Sequence, residues 1–154
     1  MIITFVGHST MSSSSKVVEL VQEQIKKCIL NNKSITCYVG GYGMFDALCA
    51  LACRELKKEY DKIEIVYVTP YLSSSEHAKI KEMQKSGFCD TSIYPPIEKT
   101  PPRYAILKRN EWMVTNSDLI IAYVNRGYGG AYKAIQIAKR KKKTIINICD
   151  IIQN

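Results

Sequence analysis

The sequence predicts an α/β protein of three layers, a mainly parallel sheet flanked on both faces by helices. Three observations predict it. Short apolar runs rich in β-branched residues alternate with longer segments of helical periodicity along the whole chain. Most of those runs are stopped at their carboxyl ends by glycine, proline or polar residues. No internal repeat or low-complexity linker divides the 154 residues, so one domain is expected.

The run IITFV (2–6) stops at Gly7 and reads as a strand buried on both faces. Ser12 to Ser15 offer N-caps for KVVELVQEQIKKCIL (16–30), where Val17, Val18, Val21, Ile25, Cys28 and Ile29 recur at helical spacing. Those serines, at a helix amino terminus, would also suit a phosphate. ITCYV (35–39) is a second strand, running into Gly40-Gly41-Tyr42-Gly43 and the helix FDALCALACRELKKEY (45–60). IEIVYV (63–68) is a third, ending at Thr69-Pro70-Tyr71. Helical character returns over 76–85, and two proline pairs, Pro95-Pro96 and Pro101-Pro102, bracket a segment that reads as a lid. A helix over 103–117, a strand over 118–124, a glycine turn at Arg126-Gly127-Tyr128-Gly129-Gly130, a helix over 131–143 and a last strand over 144–148 complete the chain. Strands alternating with helices in this way specify a Rossmann-like parallel sheet with right-handed crossovers, whose ligands bind beyond the carboxyl ends of the strands.

Hydrophobic residues make up 46% of the chain and charged ones 23%, which argues against a disordered tail or a coiled coil. No run approaches the roughly 18 apolar residues of a membrane span, and MIITFVGHST lacks the basic n-region of a signal peptide. The six cysteines are scattered without CxxC spacing, as core thiols of a reducing compartment are, so a cytoplasmic protein is expected. Cys49 and Cys53 lie four apart on a helix without a second pair to complete a metal shell, and neither metal nor cofactor is expected. The absence of GxSxG argues against an α/β-hydrolase. The net charge of +8 favours anionic partners, nucleotides first and nucleic acid second. Part of it is the run Lys139 to Lys143 at a helix end, where cations oppose the negative pole of the dipole. No aromatic residues interleave that run, which favours a solvated helix terminus over a nucleic-acid patch.

Two glycine turns, Gly40, Gly41 and Gly43 after the second strand and Gly127, Gly129 and Gly130 after the fourth, are candidate phosphate cradles. Glycine lets backbone N–H groups approach an anion, and the helix dipole behind them adds attraction. Neither turn matches GxGxxG or the Walker spacing. Asp46, one turn into its helix, either faces the pocket or favours the positive helix end. His8, directly after Gly7, either donates to a phosphate or ribose hydroxyl or is a satisfied structural histidine. Arg109 and Glu111 share the helix before the fourth strand.

The stretches VGHS (6–9), GGYGMFDALCALACRELKKEY with IEIVYVTPY, and above all KRNEWMVTNSDLIIAYVN resemble the small bacterial YpsA/YoqJ-like proteins of the SLOG superfamily over nearly the whole chain. The matching positions are Gly7-His8, Gly40-Gly41 with Asp46, and Arg109-Asn110 with Met113, Ser117 and Asp118. The resemblance implies a nucleotide or nucleotide-derived ligand, held by Arg109 and the glycine turns, with Gly7, His8, Thr69 and Tyr71 along the base or ribose side. It also implies a homo-oligomer. The superfamily includes the LOG-type phosphoribohydrolases, which cut the N-glycosidic bond of nucleoside monophosphates, and the DNA-binding DprA proteins. Against the LOG loop, Gly130 stands in place of a threonine and Lys133 in place of the catalytic glutamate. An ammonium cannot stabilise an oxocarbenium-like state, so Lys133 suits phosphate and the catalytic carboxylate falls to Asp46 or Glu111. A non-catalytic sensor for a signalling nucleotide and a DprA-like nucleic-acid module are the alternatives.

Overall fold

The computed structural model describes residues 1–11 and 14–153; Ser12 and Ser13, two of the expected cap residues, lie outside them. The strands are β1 (Ile2–Gly7), β2 (Ile35–Val39), β3 (Ile63–Val68), β4 (Thr91–Ile93), β5 (Leu119–Tyr123) and β6 (Thr144–Asn147). The helices are α1 (Ser15–Asn31), α2 (Met44–Lys57), α3 (Ser74–Lys85), α4 (Ala105–Thr115), α5 (Gly130–Arg140) and α6 (Ile148–Gln153). One sheet runs in the order β4-β3-β2-β1-β5-β6, and every pairing in it is parallel.

Period-two alternation explains why the strands read as unbroken apolar runs. On β1 and β5, Ile3, Phe5, Leu119 and Ile121 face a core shared with α1 and α2, while Val6, Ile120 and Ala122 face α4 and α5 on the opposite side. On β2 and β3, Tyr38, Val66 and Val68 meet Met113 of α4, and Tyr38 stacks on Trp112 with ring centroids 5.5 Å apart. Helices therefore cover both faces. The Ser14 side chain caps α1 by accepting from Val17 N.

The chain steps outward from β1 to β4 and then returns through α4 to lay β5 on the other side of β1. Strand order reverses between β1 and β5, and at such a switch point the loops leave in opposite directions and open a crevice beyond the carboxyl ends. Gly7 ends β1, and Arg126 comes three residues after the end of β5.

Four differences from the sequence reading have local causes. Strand β4 was not expected, because TSI is too short to carry a pattern; the ladder to β3 makes it, with Thr69 N donating to Ile93 O at 2.9 Å. The last strand ends at Asn147 rather than 148, because the Asn147 side chain bonds both the Val124 backbone and Cys149 N and starts α6. The helix expected over 103–117 opens as a 3-10 turn at Pro102–Tyr104 and continues as α4. The segment read as a lid is anchored at two points, since Pro95 and Ile97 are buried while Pro96, Glu98 and Lys99 are exposed. Among the described residues, no helix is long and apolar enough to cross a membrane.

Candidate functional site

A cavity of about 440 Å³ lies beyond the carboxyl ends of β1, β2 and β5, at the switch point. Its size is that of small-molecule sites. Gly7, His8, Ser9, Gly40, Tyr42, Gly43 and Asp46 line one side, and Arg109, Asn110, Arg126, Tyr128, Gly129 and Gly130 the other.

The glycines at the base of the cavity are there for space. A Cβ on Gly7 would lie 2.2 Å from the Phe45 ring, so only glycine lets the first turn of α2 press against the end of β1. A Cβ on Gly40 would lie 2.9 Å from Asp46 Oδ2 and 3.1 Å from Arg109 Nη2, so the Asp46 carboxylate and the Arg109 guanidinium approach each other over a bare Cα. Gly43 and Gly129 serve differently. They precede α2 and α5 with nearly identical backbones, φ 94° and ψ 169° against φ 93° and ψ 178°, a region essentially closed to other residues. The two glycine turns thus repeat one helix-entry geometry.

Arg109 is 1% exposed and held by the protein at Nη1 and Nε. Its Nη1 donates to Gly40 O at 2.7 Å and Val68 O at 2.9 Å, and its Nε donates to Asn110 Oδ1 at 2.9 Å. The guanidinium therefore staples α4 to the ends of β2 and β3, and only Nη2 lacks a hydrogen-bond partner among the described residues. The rest of this motif is also structural: Ser117 Oγ donates to Met113 O, and Asp118 Oδ2 accepts from Ile2 N at 2.7 Å.

Asp46 folds back to accept from Tyr42 N at 3.1 Å. Burial pushes its carboxyl up to about 6, against the opposing pull of Arg109 and the Tyr42 hydrogen bond. His8 is buried and accepts at Nε2 from Asn125 N at 3.1 Å, which places the ring proton on Nδ1. Burial first, and then the Arg126 guanidinium, hold His8 below its ordinary value, so the ring stays neutral.

The structure brings Gly7, His8, Gly40, Gly43, Asp46, Arg109, Gly129 and Gly130 together, and leaves six expected residues out of the lining. Glu111 points along α4 to pair with Lys108 at 3.3 Å, so it cannot serve as the cavity's carboxylate. Lys133 is exposed, one turn beyond the α5 terminus. Thr69 and Tyr71 line a separate hollow of about 300 Å³ beside α3, where Thr69 Oγ1 is held by the buried Glu76 at 2.8 Å. Gly41 turns toward Tyr67, and Gly127 stands in open space outside the lining.

Arg126 is the residue that sequence reasoning missed. It comes three residues after the end of β5, lines the cavity, stacks over Tyr128 at 5.3 Å, and keeps a buried Nε with no partner among the described residues. Its position, an arginine entering a glycine turn at a strand's carboxyl end, was the available signal. The run Lys139 to Lys143 begins at the far end of α5, about 14 Å from Gly130 at 1.5 Å per residue. Among the described residues no group of three His, Cys, Asp or Glu side chains is arranged to hold a metal.

The conformation at Gly129 can be tested by comparison with Gly127. Nothing lies within 4 Å of a Cβ at either position, but Gly129 alone has a positive φ. Gly129→Ala is expected to cost about 1–2 kcal/mol, and Gly127→Ala less than about 0.5 kcal/mol, in urea denaturation. Equal losses would show that the turn does not depend on this backbone geometry.

No family model matches the chain, and no curated protein matches it in sequence. The fold is similar to that of DNA processing protein A (DprA) from Streptococcus pneumoniae, with a TM-score of 0.61 and 13% identity over 93% of this chain. It is similar also to DprA from Helicobacter pylori, whose structure describes a single-stranded DNA binding mode (TM-score 0.56, 15% identity, 94% of this chain). A third similar structure is the molybdenum cofactor carrier protein from Chlamydomonas reinhardtii (TM-score 0.55, 14% identity, 94% of this chain). The chain spans 48% and 63% of the two DprA chains and 73% of the carrier protein. At these identities the likeness establishes the fold, a Rossmann-like α/β sheet of the DprA kind.

Proposed function

We propose that the protein binds a nucleotide or nucleotide-derived ligand in the switch-point cavity, with the ligand's phosphate on the α5 amino terminus beside Arg126. The observation that carries this is the bare state of that terminus. Its N-cap is Gly129 with no side-chain cap, its first turn has no acid, and no described residue accepts from the N–H groups of Gly130, Ala131 or Tyr132. Unmet N–H groups at the positive end of a dipole, next to a guanidinium with free donors, suit an anion. The YpsA/YoqJ-like resemblance of the sequence supports the same reading.

Binding without cleavage fits the lining better than hydrolysis does. Glycoside hydrolysis commonly uses a pair of carboxylates, and Asp46 is the one carboxylate among the described lining residues. N-glycosidic cleavage of a nucleoside monophosphate is the second reading, favoured by the carboxyl of Asp46 being raised to about 6, where it can exchange protons near neutrality. Calorimetric titration with a panel of nucleoside monophosphates, followed by chromatography of the recovered ligand, tests both readings. We expect saturable binding with the ligand intact. Release of free base by the protein and not by Asp46→Asn would establish the hydrolase instead, and absence of binding across the panel would refute the cavity as a nucleotide site. DprA-like DNA binding is a third reading, supported by the net charge of +8. It requires affinity for single-stranded DNA that falls steeply with salt and is lost on neutralising Lys139 to Lys143.

A further inference from the structure

We propose that the groove between α3 and the free edge of β4 docks an extended peptide segment of a partner protein, which adds to the sheet as a further strand and carries an apolar and an acidic residue two positions apart. The groove is separate from the switch-point cavity, and the inference stands without the binding reading above.

Strand β4 ends the sheet on one side and pairs with β3 alone. Ile93 O accepts from Thr69 N at 2.9 Å and so points toward β3; backbone groups alternate along a strand, which turns the Ser92 N–H and C=O away from the sheet. No described residue bonds either group. Such an edge is a template for another strand. Helix α3 leaves room beside it. Glu76, in its first turn, holds the Tyr67 and Thr69 hydroxyls at 2.8 Å each and is the one residue that α3 buries. The last turn of α3 is tied to the start of β4 by Gln84 Nε2, which donates to Asp90 O at 3.4 Å. The hollow of about 300 Å³ lies here, lined by Ile80, Lys81 and Gln84 from α3 and by Ser92 and Tyr94 from the edge.

The lining selects the occupant. Leu72, 59% exposed, gives an apolar wall with Tyr71, Ile80 and Tyr94, Lys81 supplies a cation, and no carboxylate lines the hollow. Side chains two apart on an added strand share a face, so an apolar and an acidic residue at that spacing both reach this lining. A nucleic-acid strand fits the edge poorly, because its backbone has no N–H to give Ser92 O, whereas a peptide backbone offers donor and acceptor together. The three residues of β4 are also too short a ladder to hold two copies edge to edge without a side chain seated in the hollow.

The test pans a random heptapeptide display library against the full chain and titrates the enriched peptides by fluorescence anisotropy. Enriched sequences are expected to pair an acidic residue with an apolar one two positions away. Lys81→Glu and Leu72→Asp, both at exposed positions, should each weaken the best peptide by at least about tenfold without moving the urea midpoint. Single N-methylations scanned along the peptide backbone should include one that costs about tenfold or more, and bound peptide should slow deuterium exchange at the Ser92 amide by at least about tenfold. The proposal is overturned if no sequence class is enriched, if binding survives both substitutions, or if the peptide leaves Ser92 exchange unchanged. Affinity for oligothymidylate that is lost in Lys81→Glu, with no peptide bound, would give the groove to nucleic acid instead. Self-association lost in Leu72→Asp, again with no peptide bound, would give it to a second copy, and either result overturns the proposal.

Discussion

Arg109→Ala is expected to destabilise the fold by about 3–5 kcal/mol. The side chain is 1% exposed, and its Nη1 is the donor to two backbone carbonyls, Gly40 O and Val68 O, at 2.7 and 2.9 Å. Truncation leaves both carbonyls buried without a donor, at about 1–3 kcal/mol each, and opens a void between α4 and the sheet edge. Arg109→Lys should recover less than half of the loss, since one ammonium cannot reproduce the planar fork. Arg126→Ala should change stability by no more than about 0.5 kcal/mol, because no described residue accepts a hydrogen bond from that side chain. Urea denaturation midpoints separate the two arginines. A loss below about 1 kcal/mol for Arg109→Ala would overturn its role as a staple and return it to the ligand-contacting role that the sequence suggested.

The second large effect has the opposite sign. Asp46→Asn is expected to stabilise the protein at pH 7 by up to about 3 kcal/mol, the free-energy equivalent of raising a carboxyl from 3.8 to about 6. Below the lower value the carboxyl is protonated in both the folded and the unfolded chain, so the wild type and the variant behave alike. Between the two values the folded protein holds a proton that the unfolded chain has released, so wild-type stability falls as pH rises. Above about 6 the full cost of the buried charge is present and constant. The advantage of the variant should therefore be near zero at pH 3.5 and grow to its plateau by pH 7, because the asparagine carbonyl can still accept from Tyr42 N without a charge. Paired denaturation curves at these pH values check the trend, and an advantage that does not grow with pH would show that burial does not raise this carboxyl. A residue that costs stability while lining a cavity has the profile of one retained for binding or chemistry.

Much of the fold was legible because its signals are local. The apolar runs of β1, β2, β3 and β5 declare themselves by composition, and the helices by their spacing. Both glycine turns fell at strand ends, where parallel topology puts the ligand edge. The site was less legible. The segment with the most specific resemblance, from Arg109 to Asp118, is occupied with internal stapling. Glu111 and Arg109 are two positions apart on α4, and about 200° of helical rotation between them sends one to the Lys108 side and the other into the sheet edge. Lys133 was counted by its distance from the glycines, but α5 carries it away from the cavity to an exposed position.

By itself the sequence determined the order of elements, the parallel sheet and the placing of two glycine-led helix starts at its carboxyl edge, since each follows from residue spacing within one segment. The tertiary structure alone decided the strand order, the existence of β4, and which guanidinium is left without an acceptor among the described residues. Those depend on partners far apart along the chain. Arg109 lost its freedom to carbonyls 69 and 41 positions away, while Arg126 kept its own because no described acceptor reached it.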